Sequence, residues 1–310
     1  MLSFILSILL VLGLSPVFSQ AVFLDNIVRL DPYQNGRNFP YSLGPKLTSQ
    51  SALALDVETG EVLFEKNPTV VLPVASITKL MTALVFWENN TRALSDKVKV
   101  EQGDLVIETN IESDLEPAGL VIKPEDSLSI EDIFYGSLVK SANNAAKILA
   151  RLIESDTNEA FVDLMNKKAE VLGMTDTHFV EPTGLDSKNC STASDLAKLI
   201  IEAVKNDNIK RALNTKTYDV SILRPGSGKI YQRVYNTNKL LGGFIDLIGA
   251  KTGYLRESGY CFAGLSDYQG YRTAVVVLGA ATDQDRFQEV KGLIWWTSSL
   301  EHGKIGTLEY

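Results

Sequence analysis

Ser76-Ile77-Thr78-Lys79 places a hydroxyl and an amine at i and i+3, a spacing that brings both onto one helix face about a turn apart. A nucleophile and its base would be arranged in this way. A serine hydroxyl attacks a carbonyl once its proton is removed, and a lysine removes it only if its amine is neutral, which burial and a second nearby cation both favour. At a helix N-terminus, free N–H groups and the dipole also favour the developing negative charge. Ser141-Ala142-Asn143 adds a hydroxyl suited to proton relay and an amide able to hold a substrate carbonyl or the lysine. Lys251-Thr252-Gly253 adds a cation and a hydroxyl for a terminal carboxylate, with Gly249, Ala250 and Gly253 leaving room for another backbone to approach. Edge N–H groups there could bind a peptide as an added strand, and Lys251 could be the cation that keeps Lys79 neutral.

Each match is weak alone. Ser137-Leu138-Val139-Lys140 is a second S-x-x-K, and Ser187-Lys188-Asn189 a second S-x-N. The ordinary alternatives are an N-cap for Ser76, a solvated lysine for Lys79, a capping turn at 141–143 and an exposed lysine beside a turn at 251. Order and setting favour the chemical reading: S-x-x-K on an apolar helix, then S-x-N at a helix junction, then K-T-G on a strand.

The elements that must position these groups follow from periodicity. Ile77, Leu80, Met81, Leu84 and Val85 fall at helical spacing, while Ala83, Phe86 and Trp87 fill most of the opposite side, so this helix should be central and buried. Further helices are expected at about 130–140, 144–154, 158–172 and 192–205, two of them opened by Ser129 with Asp132 and Thr192 with Asp195, and a last one from Asp285 to Ser299. Two apolar runs around Thr59-Gly60 predict a hairpin from Ser51, and strands return beyond about 215 in YDVSIL, KIYQRVYNT, ESGYCFAGLS and YRTAVVVLGA. Strands at both ends of the chain imply one sheet built from distant segments beside an inserted helical lobe.

Composition narrows the function classes. The 310 residues carry 30 Lys and Arg against 38 Asp and Glu, a formal charge of −8 with no basic run, which gives no footprint for nucleic acid. His178 and His302 are far apart and no metal-binding spacing occurs, so neither a metal nor another cofactor is expected. Cys190 and Cys261 could pair in an oxidising compartment or sit apart as small core residues. Residues 1–19 carry no ionised side chain and end in small residues, as in a secretory signal with cleavage after 19 or 21; the alternative is an uncleaved N-terminal tether. Residues 22–46 read as a linker or N-terminal arm, and 47–310 as one catalytic domain.

PVASITKLMTALV, IKPEDSLSIEDIFYGSLVKSANNAA, LGMTDTHFVEPTGLDS with STASDLAKL, NTNKLL, and GAKTG followed by GYCFAGL resemble, in order, the blocks of the penicillin-binding serine D,D-peptidases. The likeness is strongest to the small D-alanyl-D-alanine carboxypeptidases of the peptidase S11 type and runs from about Ala52 to Trp296. It implies a two-lobed β-lactamase/transpeptidase-like fold of α/β plus α class, with an antiparallel sheet, flanking helices and an all-helical lobe inserted at about 76–205. It also implies a stem peptide ending in D-Ala-D-Ala as substrate, β-lactam antibiotics as covalent inhibitors, and an exported enzyme in the periplasm or the extracytoplasmic wall space. Ser76 would be acylated, with Lys79 as base and Ser141 and Asn143 lining the cleft. Lys251, Thr252 and Gly253 would recognise substrate, the amides of Ser76 and Tyr254 would form an oxyanion hole, and Arg286 would meet the substrate carboxylate. Ser141-Ala142-Asn143-Asn144 stands where many members read Ser-Gly-Asn-Asp, which keeps the Ser and Asn. No C-terminal membrane anchor is expected after GKIGTLEY. A D,D-endopeptidase using the same residues is the nearest rival. A class A β-lactamase would need a deacylating glutamate in an E-x-x-L-N stretch, which is absent, and a non-catalytic wall-binding protein would not need every catalytic position filled.

Overall fold

The computed structural model describes residues 44–105 and 118–301. The expected leader at 1–19, nearly all of the expected arm, His302 and the final residues lie outside the described residues.

The expected hairpin forms as β1 (Ser51–Asp56) and β2 (Val62–Lys66), paired antiparallel around Gly60, whose φ of +74° suits a residue without a Cβ. Apart from a short pairing of β3 (Leu72–Pro73) with β6 (Cys190–Ser191), the later sequence supplies β9 (Leu247–Leu255), β10 (Gly259–Tyr268) and β11 (Tyr271–Ala280). β1, β2, β9, β10 and β11 make a five-stranded antiparallel sheet in the order β2-β1-β11-β10-β9, so among the described residues the strand carrying Lys251 is an edge. Strand alternation gives this sheet two apolar faces. Val275 and Val277 of β11 pack with Ala52, Phe262, Phe287, Val290 and Leu293, whereas Ala274, Val276 and Leu278 face the helices on the other side.

α1 (Thr78–Asn89) is buried from Thr78 to Phe86, as its all-round apolar pattern predicts, and packs against four other helices. These are α2 (Ile130–Val139), α3 (Asn143–Thr157), α4 (Phe161–Val171) and α5 (Ala193–Ala203). Ser129 and Thr192 cap α2 and α5, accepting from the amides of Asp132 and Asp195, each cap worth about 1 kcal/mol. The last helix, α7 (Asp283–Glu301), lies along β10 and β11. Among the described residues no helix is long and apolar enough to cross a membrane.

Three expectations need correction. Tyr218–Leu223 and Lys229–Thr237 do not join the main sheet. As β7 (Thr217–Arg224) and β8 (Gly228–Tyr235) they extend β4 (Lys97–Lys99) and β5 (Ser127–Ser129) into a separate four-stranded sheet against α2, so the helical lobe is not all-helical. Three-residue strands carry too little alternation to read, and the buried Val220, Ile222 and Val234 need a face to cover. A short helix α6 (Asp207–Leu213), capped by the Asn206 side chain, was not expected. The third concerns the ends of α3, which starts at Asn143 and runs to Thr157. Cys190 and Cys261 are both free thiols.

Candidate active site

Ser76 is not an N-cap. It sits in a 3-10 turn, Ala75–Ile77, that leads into α1, and the cap positions Val74 and Ile77 make no side-chain capping bond. Ala75 has φ +48°, an unfavourable left-handed conformation for a residue with a Cβ. Thr78 helps to hold it, donating its hydroxyl to the Ala75 carbonyl at 2.8 Å. Ser76 itself remains partly exposed while Val74, Ala75 and Ile77 are buried.

Lys79 has no exposed surface, so the solvated-lysine reading fails. Its Nζ lies 2.9 Å from Ser76 Oγ, and it donates to Asn143 Oδ1 and to the Thr183 carbonyl, both at 2.6 Å. Those two oxygens can only accept, so they occupy two N–H bonds of the amine. The remaining position on Nζ faces the Ser76 hydroxyl.

Ser141 also has a left-handed backbone, φ +62°, between α2 and α3. Lys251 Nζ donates to its hydroxyl at 2.8 Å and to the Thr252 carbonyl at 3.1 Å. Ser141 and Lys251 thus meet across 110 residues of sequence. Burial pushes the Lys251 ammonium well below its ordinary pKa, and the positive charges of Lys79 and Arg286 push it further the same way. The opposition is mutual: a proton on one of the two lysines disfavours a proton on the other. Thr252 donates its hydroxyl to Thr237 Oγ1 at 2.7 Å.

Gly253 explains how an edge strand reaches the serine turn. A Cβ there would stand 2.9 Å from the Val74 carbonyl oxygen and 3.1 Å from the Ser76 amide nitrogen, so only glycine lets β9 lie this close. The amides of Ser76 and Tyr254 therefore come from adjoining backbones, and the Tyr254 ring packs on Tyr260 at 4.3 Å between centroids. Arg286 is brought to the same strand but is buried. It donates to the carbonyls of Gly253 at 3.0 Å and Cys261 at 3.2 Å, pairs with Asp283, and lies over the Phe287 ring.

Of the residues singled out in the sequence, Ser76, Lys79 and Asn143 form one contact group, Ser141, Lys251 and Thr252 a second, and Gly253 joins the two to the serine turn. Thr183 and Thr237 were missed. Thr183 acts through a backbone carbonyl, for which a sequence has no symbol; its only signal was the Pro182-Thr183-Gly184 turn. Thr237 lies in the NTNKLL block and shows only as a small polar residue after a strand.

A serine turn at a helix start, a buried lysine on that helix and an edge strand carrying a second buried lysine are the arrangement that acyl transfer to a serine requires. Residues 40–282 match the family model "D-alanyl-D-alanine carboxypeptidase", peptidase S11, and the chain belongs to that family. The D-alanyl-D-alanine carboxypeptidase DacF of Bacillus subtilis is 33% identical over 247 residues, covering 79% of this chain and 61% of that protein. A D-alanyl-D-alanine endopeptidase of Pseudomonas aeruginosa is 33% identical over 266 residues, covering 85% of this chain and 80% of that one. The chain thus spans about three fifths of the first relative's length and four fifths of the second's. In fold it is similar to the crystal structure of the Streptomyces K15 DD-transpeptidase, with a TM-score of 0.73 at 24% identity over 83% of this chain and 99% of that one.

Proposed function

We propose that this protein is a D-alanyl-D-alanine carboxypeptidase that removes the terminal D-alanine of peptidoglycan stem peptides through an acyl-enzyme on Ser76. The observation that carries the reading is the buried Lys79 amine, 2.9 Å from Ser76 Oγ and fixed by two acceptors from distant segments. Lys79 takes the hydroxyl proton as Oγ attacks the carbonyl of the penultimate D-alanine. The Ser76 and Tyr254 amides hold the oxyanion, each donor contributing ~10²–10³ in rate. The C–N bond breaks, the departing amine takes a proton through Ser141, and D-alanine leaves. Water, deprotonated by the same base, then attacks the ester and frees Ser76. Lys251 and Thr252 hold the substrate's terminal carboxylate, and the open edge of β9 takes its backbone as an added strand. A carboxylate that reached Arg286 would take the place Asp283 now fills. β-Lactams acylate the same serine as covalent inhibitors and are released slowly. The apolar leader fits export to the periplasm or the wall space, with that segment cleaved or kept as a tether.

A second reading, D,D-endopeptidase, is favoured by the P. aeruginosa relative, whose name carries that activity. Incubation with a penicillin followed by intact-mass measurement tests the shared chemistry: wild type gains one adduct and Ser76→Ala gains none. A well-folded wild type without adduct would sink the acyl-enzyme. Digestion of crosslinked and uncrosslinked muropeptides then separates the two activities, release of free D-alanine marking the carboxypeptidase.

A further inference from the structure

We infer that Glu181 is a positioning residue for the base: its carboxylate holds the loop that presents the Thr183 carbonyl to Lys79. This rests on the assignment of Ser76 and Lys79 above. Glu181 opens Glu181-Pro182-Thr183-Gly184-Leu185, a stretch outside every helix and strand. Its carboxylate gathers five donors. One oxygen accepts from the Thr183 amide at 2.6 Å and the Thr183 hydroxyl at 2.5 Å. The other accepts from the Gly184 amide at 2.5 Å, the Asn189 side-chain amide at 2.6 Å and, more weakly, the Asp186 amide at 3.4 Å. Hydrogen bonds to an ionised acceptor are roughly twice as strong as neutral ones, so one side chain sets the conformation of four residues.

The loop delivers three backbone groups to the start of α1. The Thr183 carbonyl accepts from Lys79 Nζ and the Pro182 carbonyl from the Thr82 hydroxyl, both at 2.6 Å. Gly184, at φ +84°, lies so near that a Cβ would stand 2.0 Å from the Ala75 carbonyl oxygen. Asn189 ties down the other end. Its side-chain oxygen accepts from the Val180 amide at 2.7 Å, its side-chain amide donates to the Glu181 carbonyl at 3.0 Å, and its own carbonyl accepts from the Val74 amide at 3.1 Å. The second S-x-N of the sequence therefore serves the loop, and the same loop touches the serine turn and the lysine. With its oxygens taken up by donors of its own loop, Glu181 is badly placed to activate a deacylating water. A merely stabilising carboxylate would lower stability, affinity and turnover together when altered. A positioning carboxylate lowers turnover alone.

The experiment compares the full-length wild type with Glu181→Gln by melting temperature, penicillin acylation rate, and kcat and KM for D-alanine release from a D-Ala-D-Ala peptide. Glutamine keeps the length but turns one acceptor into an N–H₂ group that faces the loop's donors. The expected result is a ~10–100-fold fall in acylation rate and kcat with KM within ~2-fold, the size of loss that a displacement of about 1 Å at a reacting group produces. Glu181→Asp, which keeps the charge on a shorter arm, falls between the two and carries the test if Glu181→Gln does not fold. Wild-type acylation in a folded variant overturns the inference, as does a loss of kcat matched by losses in affinity and melting temperature. A wild type that takes no penicillin at Ser76 brings down the assignment of the site itself, an outcome read independently of either variant.

Discussion

The chain contains the same four-residue pattern at two places, and the two have little else in common. Ser76 and Lys79 straddle the entry to α1, where the serine stays partly exposed and the lysine is drawn under it by Asn143 and Thr183. Ser137 and Lys140 sit at the exit of α2, where the serine is enclosed and the lysine forms the C-cap. At a helix entry free amides face a developing anion; at an exit free carbonyls oppose it. Spacing is thus a necessary local condition. What distinguishes the two pairs is which distant segments converge on the lysine and which end of the helix the serine occupies.

The largest expected effect separates the two serines outright. Ser76→Ala should reduce penicillin acylation and D-alanine release by ~10⁴-fold or more, whereas Ser137→Ala should leave both rates unchanged; the reverse pattern, read by mass and by D-alanine assay, would break the comparison. Gly184→Ala comes next, because the new Cβ would collide with the Ala75 carbonyl and force an unfavourable φ. A loss of about 2–4 kcal/mol in denaturant unfolding is expected, in the range of single changes that combine a clash with backbone strain, and a wild-type midpoint would show that the loop does not press on the serine turn.

Lys251→Met sharpens the contrast between a residue proposed to serve the chemistry and one that serves stability. The folded state holds the Lys251 pKa well below its unfolded value, so protonation favours the unfolded chain and burial of this lysine costs stability at pH values below the ordinary lysine range. Activity should fall steeply while the melting temperature rises. The gain should shrink as pH climbs toward the ordinary lysine range, where the unfolded chain also loses its proton. A variant that melts below wild type at pH 7 and gains on going to pH 10 would reverse that sign. The smallest effect is expected at a helix cap: Thr192→Ala should cost about 1 kcal/mol by chemical denaturation and leave acylation intact.

Periodicity and capping located α1, α2, α5 and the β1–β2 hairpin because each is specified within a dozen residues: a helical apolar repeat, a Ser or Thr three before an Asp, a Thr59-Gly60 turn. β4 and β5 escaped because three residues make no recognisable alternation, and with them went the second sheet. The sequence by itself determined the types and order of the groups proposed to react or bind, Ser76, Lys79, Ser141, Asn143 and Lys251, and the buried character of the helix that begins among them. Tertiary structure alone decided that Ser141 meets Lys251, that Gly253 admits β9 to within contact of Ser76, and that a carbonyl in the loop held by Glu181 completes the setting of Lys79. The physical reason is that side-chain chemistry is written locally, whereas burial, mutual repulsion of two lysines and the reach of a backbone carbonyl exist only once segments a hundred residues apart are packed together.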